Sequence, residues 1–193
     1  MKLSEIANIS TGYSFRSKIT HDPEGDTKVV QMSDVDKYRG IMRENMTTIS
    51  DFNPRRDRYY LEAGDVIMIS KGYNLNAFTI PGWLENAVAV NSFLVLKPDN
   101  PKVIAPYLAW FLNSKRVQHF FKSISAGTSI PNLSIKALES IEIILPPLDH
   151  QQEVAMIDMY KNTEIILHQM LAEKKERMVD ALLQKQYDKF KSK

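Results

Sequence analysis

Apolar positions in the first hundred residues come in short runs broken by turn formers. The runs at 28–32, 66–70, 87–90 and 93–97 are rich in Val, Ile, Phe and Ala, and a similar run occupies 141–145. Runs of that length bounded by Gly, Pro, Asn or Asp predict strands rather than helices. Residues 3–9 read as a short helical or extended entry, Thr11-Gly12 as a turn, and residues 61–65 (LEAGD) as a turn feeding the strand at Val66. Between Val35 and Arg58 polarity is high and periodicity poor. That pattern predicts a long loop with at most one short strand near 47–49.

The pattern then changes. Residues 106–122 predict one helix. Tyr107, Trp110, Phe111, Val117, Phe120 and Phe121 share a broad face, and Pro106 suits the first turn. A polar loop is expected over 123–134. Pro146-Pro147 closes the strand at 141–145, and Asp149 with Gln152 three residues on has the form of a capping box. Beyond Asp149 there is neither Pro nor Gly, so about 40 residues can continue as one helix, roughly 60 Å long. Tyr160, Leu167, Leu171, Met178 and Leu182 form its candidate partner seam, with Lys174 and Ala181 interrupting the heptads. The expectation is a mixed α+β (α/β) protein. A globular domain with a twisted mixed sheet and helices would occupy 1–146, and a long coiled-coil-type helix 147–193.

Composition removes several kinds of chemistry. The chain has 193 residues and no Cys, which excludes disulfides, thiolate nucleophiles and thiolate-held metal. Absence of Cys also fits a reducing, cytoplasmic setting. The closest of the seven Gly are eight residues apart, so neither a P-loop nor a dinucleotide fingerprint can be present. The four His lie too far apart for a two-His metal pair on one helix turn. No apolar run reaches the ~20 residues of a membrane-spanning helix, and the N-terminus has no signal-peptide core. A net charge of +2 does not by itself mark a nucleic-acid protein.

Local constellations say more than the total charge. The LPPL stretch at 145–148 has the Pro-Pro of an amino-methyltransferase loop. It lacks the Asn or Asp and the aromatic residue that such a loop needs to bind a flipped base. Glu173-Lys174-Lys175 has the spacing of half a nuclease site, but on a long charged helix i, i+4 pairing is the ordinary use of such residues. The 37–58 stretch carries Lys37, Arg39, Arg43, Arg55, Arg56 and Arg58, followed by Tyr59 and Tyr60. Arg beside aromatic rings suits phosphate and base-edge contact, although Asp36, Glu44, Asp51 and Asp57 balance much of that charge. Residues 71–76 (KGYNLN) form a strand-end loop with donors and a ring, or a simple connection.

Four stretches together resemble one family. LSEIANISTGYSF at 3–15, LEAGDVIMISKG at 61–72, GTSIPNLS at 127–134 and IEIILPPLDHQQEVAMI at 141–157 are similar, in order and spacing, to the specificity subunits of type I restriction–modification systems. The PPL-x-x-Q junction before a long helix is the most particular of them. The resemblance implies a DNA-reading adaptor that does not catalyse. In such subunits two recognition domains each read one half of a split DNA site. Antiparallel spacer helices set the gap and dock methyltransferase subunits. S-adenosylmethionine and magnesium are then expected only on partner subunits, and no cofactor on this chain.

With one recognition domain and one spacer helix, the chain resembles a half-subunit. Its expected partners are double-stranded DNA, a methyltransferase subunit, a restriction endonuclease subunit where one exists, and a second copy or a second specificity protein through the helix; no membrane is expected. The candidate DNA contacts are Arg39, Arg43, Arg55, Arg56, Lys71, Tyr73, Asn74, Asn76, Lys115, Arg116, Lys122, Thr128, Ser129 and Asn132. The alternative is a regulator or decoy that occupies methyltransferase subunits through its helix without reading DNA.

Overall fold

The computed structural model describes residues 1–54, 57–124 and 132–191. In chain order the strands are β1 (Ala7–Thr11), β2 (Thr27–Val30), β3 (Val35–Asp36), β4 (Gly40–Ile41), β5 (Thr47–Ile49), β6 (Tyr60–Leu61), β7 (Val66–Ile69), β8 (Ala77–Thr79), β9 (Ala87–Ala89) and β10 (Phe93–Pro98). The helices are α1 (Ala105–Asn113), α2 (Lys115–Ile124), α3 (Ile135–Glu139) and α4 (Leu148–Lys191). One sheet has the order β1-β10-β7-β8 and is antiparallel throughout. A second four-stranded sheet, β5-β2-β9-β6, is mixed, with β2 parallel to β9, and β3 and β4 form a separate two-stranded antiparallel sheet. The expected mixed α+β fold with a long C-terminal helix is present.

The central strands are apolar on both faces because both are covered. Every residue of β7 is buried, as are Phe93, Leu94, Val95 and Leu96 of β10. Leu108 and Leu112 of α1 and Phe121 of α2 close the core over them. Burial on both sides explains why these runs lack a period of two.

The structure departs from the sequence reading in several places. The helix expected over 106–122 breaks at Ser114, whose backbone is extended. Ser114 accepts the Val117 N–H through Oγ and so begins α2. Residues 141–145 are extended but form no named strand. They bond to the N-terminus instead: the Leu3 N–H donates to Ile141 O and the Ile143 N–H to Met1 O. The 35–58 stretch holds the β3–β4 hairpin besides β5. The hairpin's turn is made by Asp36, whose Oδ1 accepts the N–H groups of Tyr38 and Arg39. The short helix α3 falls inside no periodic signal, because IKALE is barely a turn and a half; Ser134 caps it by accepting the Ala137 N–H. Gly12 is not a turn residue either. A Cβ there would lie 2.3 Å from the Val90 carbonyl oxygen, so Gly12 marks a close approach of two backbones.

The start of α4 also differs from expectation. Asp149 lies inside the helix, where Oδ1 accepts the His150 N–H, and no Asp149–Gln152 box forms. The anchor is Gln151, which is 0% exposed. Its Oε1 accepts the Ile104 N–H at 3.1 Å, and Nε2 donates to the carbonyls of Lys102 (2.7 Å) and Pro146 (2.8 Å). One side chain thus ties α4 to the loop before α1.

Candidate nucleic-acid interface

Strand direction decides which loops meet. β1 ends opposite Leu94, where β10 has just begun, and β7 ends opposite Phe93. β8 begins opposite Met68, and β9 ends beside Val30. Residues 12–15, 31, 70–76 and 90–92 therefore gather at one end of the two sheets. Asn132 joins them through an antiparallel bridge to Lys71.

Hydrogen bonds fix this end. Asn91 Nδ2 donates to Ser14 Oγ at 2.7 Å. The Ser70 N–H and Oγ–H both donate to the Ser92 carbonyl, and the Leu133 N–H donates to the Ser70 carbonyl at 2.7 Å. Gln118 Nε2 donates to the carbonyls of Leu75 and Leu112, tying the 71–76 loop to the α1–α2 junction. Asn113 occupies the outer edge of β8 as a further strand would. Its Oδ1 accepts the Ala77 N–H and its Nδ2 donates to the Ala77 carbonyl. A cleft of about 320 Å³ lies between Thr11, Ser14, Ser70, Lys71, Asn91 and Asn132. Its rim is exposed and offers amide, hydroxyl and ammonium groups.

Aromatic rings flank the cleft. Tyr13 packs edge-on against Phe15 and Phe52 at 4.9 Å and against Tyr59 at 5.1 Å. Phe52 in turn meets Tyr60 at 5.8 Å. Arg58 lies over the Tyr59 ring at 5.0 Å and donates to its hydroxyl. The rings are half-buried, so they hold Ser14 and Arg58 in place more than they present faces of their own.

The candidate residues distribute unevenly. Lys71, Tyr73, Asn74, Asn76 and Asn132 lie together at this end, and Tyr73 is 72% exposed. Arg39 lines a different groove, of about 390 Å³, between the β3–β4 hairpin, α1 and α4. Arg43 stacks on Trp83 at 5.5 Å, in the loop after β8 and thus at the other end of that sheet. Lys115, Arg116 and Lys122 are exposed on α2, and Arg116 borders a hollow lined by Phe111, Phe120 and Glu142. Arg55, Arg56, Thr128 and Ser129 lie outside the described residues. Sequence reasoning missed Ser14, Asn91 and the Tyr13 ring cluster. No local signal marks them, since they meet only through strand pairing.

At the far end of the sheets, Lys97 Nζ bonds Glu62 at 3.0 Å and Asp65 at 3.1 Å. Burial raises the Asp65 carboxyl above the ordinary range, against the lowering effect of the Glu62 N–H and Lys97. Burial opposes the charge on Lys97, but its two carboxylate partners outweigh this and raise its pKa. Among the described residues no His, Asp and Glu cluster has the form of a metal site.

The seam residues of α4 all lie in solvent. Tyr160 is 60% exposed, Leu167 59% and Met178 59%, with Leu171 and Leu182 also exposed. The opposite face of the helix, with Ala155, Asp158, Asn162 and Ile166, lines the groove against α1. No helix among the described residues is long and apolar enough to cross a membrane.

The domain thus joins two four-stranded sheets with a polar loop end to a long exposed helix. Residues 1–174 match the type I restriction modification DNA specificity domain, and the chain belongs to that family. Such domains recognise a DNA target and do not catalyse. The chain is 36% identical over 66 residues to the type I restriction enzyme MjaVIII specificity subunit of Methanocaldococcus jannaschii, covering 34% of this chain and 16% of that protein. Its fold is similar to the HsdS subunit of Thermoanaerobacter tengcongensis, with a TM-score of 0.65 at 23% identity over 91% of this chain and 45% of that one. It is also similar to the type I system S subunit of M. genitalium, with a TM-score of 0.55 at 20% identity over 95% of this chain and 44% of that one. The chain therefore spans less than half the length of these relatives.

Proposed function

We propose that this chain reads one half of a bipartite DNA target with the end of the sheets that carries Lys71, Asn132, Ser14 and Asn91. The observation that carries the reading is the convergence of those four residues around one cleft. Amide groups of Asn read adenine edges, and Lys binds guanine edges or phosphate. The sequence-distant Arg58, held over the Tyr59 ring that packs on Tyr13, adds charge to the same end. In this reading Lys115, Arg116 and Lys122 contact phosphate, which positions the domain without specifying sequence. Helix α4 docks a methyltransferase subunit and pairs with a second specificity chain, because its exposed apolar stripe faces away from its own domain. A restriction endonuclease subunit, where one exists, joins through the same assembly, and S-adenosylmethionine belongs to the methyltransferase.

Methylome sequencing of cells with and without the gene tests the reading. One modified bipartite motif disappears without it, and Lys71→Glu in the chromosomal copy gives the same loss. An unchanged methylome overturns the proposal. In vitro, a complex engaging about 6 phosphates loses affinity with salt at a log–log slope of about −5.

A further inference from the structure

Asn91 stands on a turn that carries the chain from one sheet to the other. β9 ends at Ala89 in the mixed sheet, and β10 begins at Phe93 in the antiparallel one. The Phe93 N–H closes the turn on the Val90 carbonyl at 3.0 Å. Both flanks are tied down. The Val90 N–H donates to the Val30 carbonyl, and the Ser92 carbonyl accepts the N–H (2.8 Å) and the hydroxyl (2.9 Å) of buried Ser70. The backbone of the turn has little freedom, so the fold itself aims the exposed Asn91 side chain.

The amide is oriented as well. The parallel bridge between Tyr13 and Val90 sets Ser14 beside Asn91. The missing Cβ of Gly12 permits that approach, and the Tyr13 ring is held among Phe15, Phe52 and Tyr59. Asn91 Nδ2 donates to Ser14 Oγ at 2.7 Å. A side-chain amide has two donor hydrogens and one acceptor oxygen. Ser14 takes one hydrogen, which leaves Oδ1 and one N–H for a ligand. Among the described residues no other hydrogen bond engages the Asn91 side chain.

An acceptor paired with a donor matches one base edge. In the major groove adenine offers N6–H as donor and N7 as acceptor. Guanine offers two acceptors, cytosine a donor, and thymine an acceptor and a methyl group. Lys71, which lines the same cleft, is a donor only and complements guanine or phosphate.

We infer that Asn91 reads one adenine of the half-site, its Oδ1 accepting from N6–H and its Nδ2 donating to N7, and that Ser14 is the positioning residue that keeps the amide in this orientation. The inference rests on the DNA-reading end proposed above and assigns one base contact within it.

The test begins with the methylome of cells carrying Asn91→Ala in the chromosomal copy. The modified motif persists and turns degenerate at one position that was strictly A. Ser14→Ala loosens the same position, and Ser14→Thr, which keeps the hydroxyl, leaves it strict. The isosteric Asn91→Asp, left with acceptors only, admits C there. The complex purified from the same cells then binds duplexes with 7-deazaadenine, which lacks the N7 acceptor, at each half-site adenine in turn. Replacement at that one position weakens wild-type binding about fivefold or more, and it changes Asn91→Ala binding by less than about twofold. A motif as strict with Asn91→Ala as without it, or a scan in which no adenine couples to Asn91, overturns the assignment. If Lys71→Glu abolishes the motif while Asn91→Ala leaves it unaltered, only this inference falls; if neither alters it, the DNA-reading end falls too. A strict A retained by Ser14→Ala overturns the positioning role.

Discussion

The two halves of α4 have the same secondary structure and opposite surroundings. From Leu148 to Ile166 the helix lies on its own domain, with Gln151 fully buried and Ile165 and Ile166 half covered. From Leu167 to Lys191 every residue is exposed, including Leu171, Leu183, Tyr187 and Phe190. The apolar share hardly differs between the halves, at 9 of 19 residues and 11 of 25, although the second half is the more charged. What differs is the presence of a neighbour, and the contrast teaches that helical continuity here comes from local propensity while stability comes from contact. The first half serves the fold of one chain. The second half, about 37 Å long, is apolar surface in excess of what one chain can cover.

Perturbing the anchor breaks this contrast most strongly. Gln151→Ala leaves the Ile104 N–H and the Lys102 and Pro146 carbonyls without their partner. At roughly 1–3 kcal/mol for each buried group left unsatisfied, with some relief from water entry, the domain loses about 3 kcal/mol, measured as a lower urea midpoint. A break in the second half does the opposite. Leu171→Pro costs the helix about 3 kcal/mol locally and abolishes self-association. The urea midpoint of the domain's tryptophan fluorescence stays where it was, because Trp83 and Trp110 lie in the domain. If Leu171→Pro lowers that midpoint as much as Gln151→Ala does, the two halves are not energetically separate.

Smaller effects sharpen the description of the domain itself. Asn113→Ala removes both bonds to Ala77 and costs about 1–2 kcal/mol. It also loosens the 71–76 loop, so hydrogen exchange quickens at Ala77 and its neighbours. The Asp65–Lys97 pair gives the smallest effect. The folded-state pKa of Asp65 is raised, so its contribution is present below the ordinary carboxylate range and is lost as pH rises through the raised value. Lys97 is also raised, so its contribution is present below the ordinary lysine range and is lost as pH climbs through its folded value. Equilibrium unfolding followed across pH therefore shows a shallow fall above the normal carboxylate range and another in the alkaline limb. Asp65→Asn flattens the first.

Much of the molecule was legible because its signals are local. The runs at 66–70 and 93–97 read as buried strands on length and β-branching alone, and the long helix on the absence of Pro and Gly after Asp149. The 61–65 turn was readable as well, since Gly64 takes a positive φ of 91° there. The break at Ser114 was not, because the apolar face of 106–122 continues through it and only the packing of α1 and α2 against different parts of the core separates them. Gln151 stood in the recognised PPL-x-x-Q stretch, yet its role depends on carbonyls 5 and 49 residues away. The candidate interface was half legible. Lys71 to Asn76 is one continuous loop and could be chosen from sequence. Arg39 and Arg43 stood in the same basic stretch and end up facing α4 and Trp83.

The sequence by itself determined the buried strands at 66–70 and 93–97, the long helix, the absence of thiol and Gly-loop chemistry, and the family, because each follows from residue identity within a short window. Only the tertiary structure decided which polar side chains share a surface. Ser14, Lys71, Asn91 and Asn132 are separated by up to 118 positions and meet through antiparallel strand pairing that no local pattern encodes. It also decided which face of α4 is left open, since a stripe becomes a docking surface only when the domain has taken the other side.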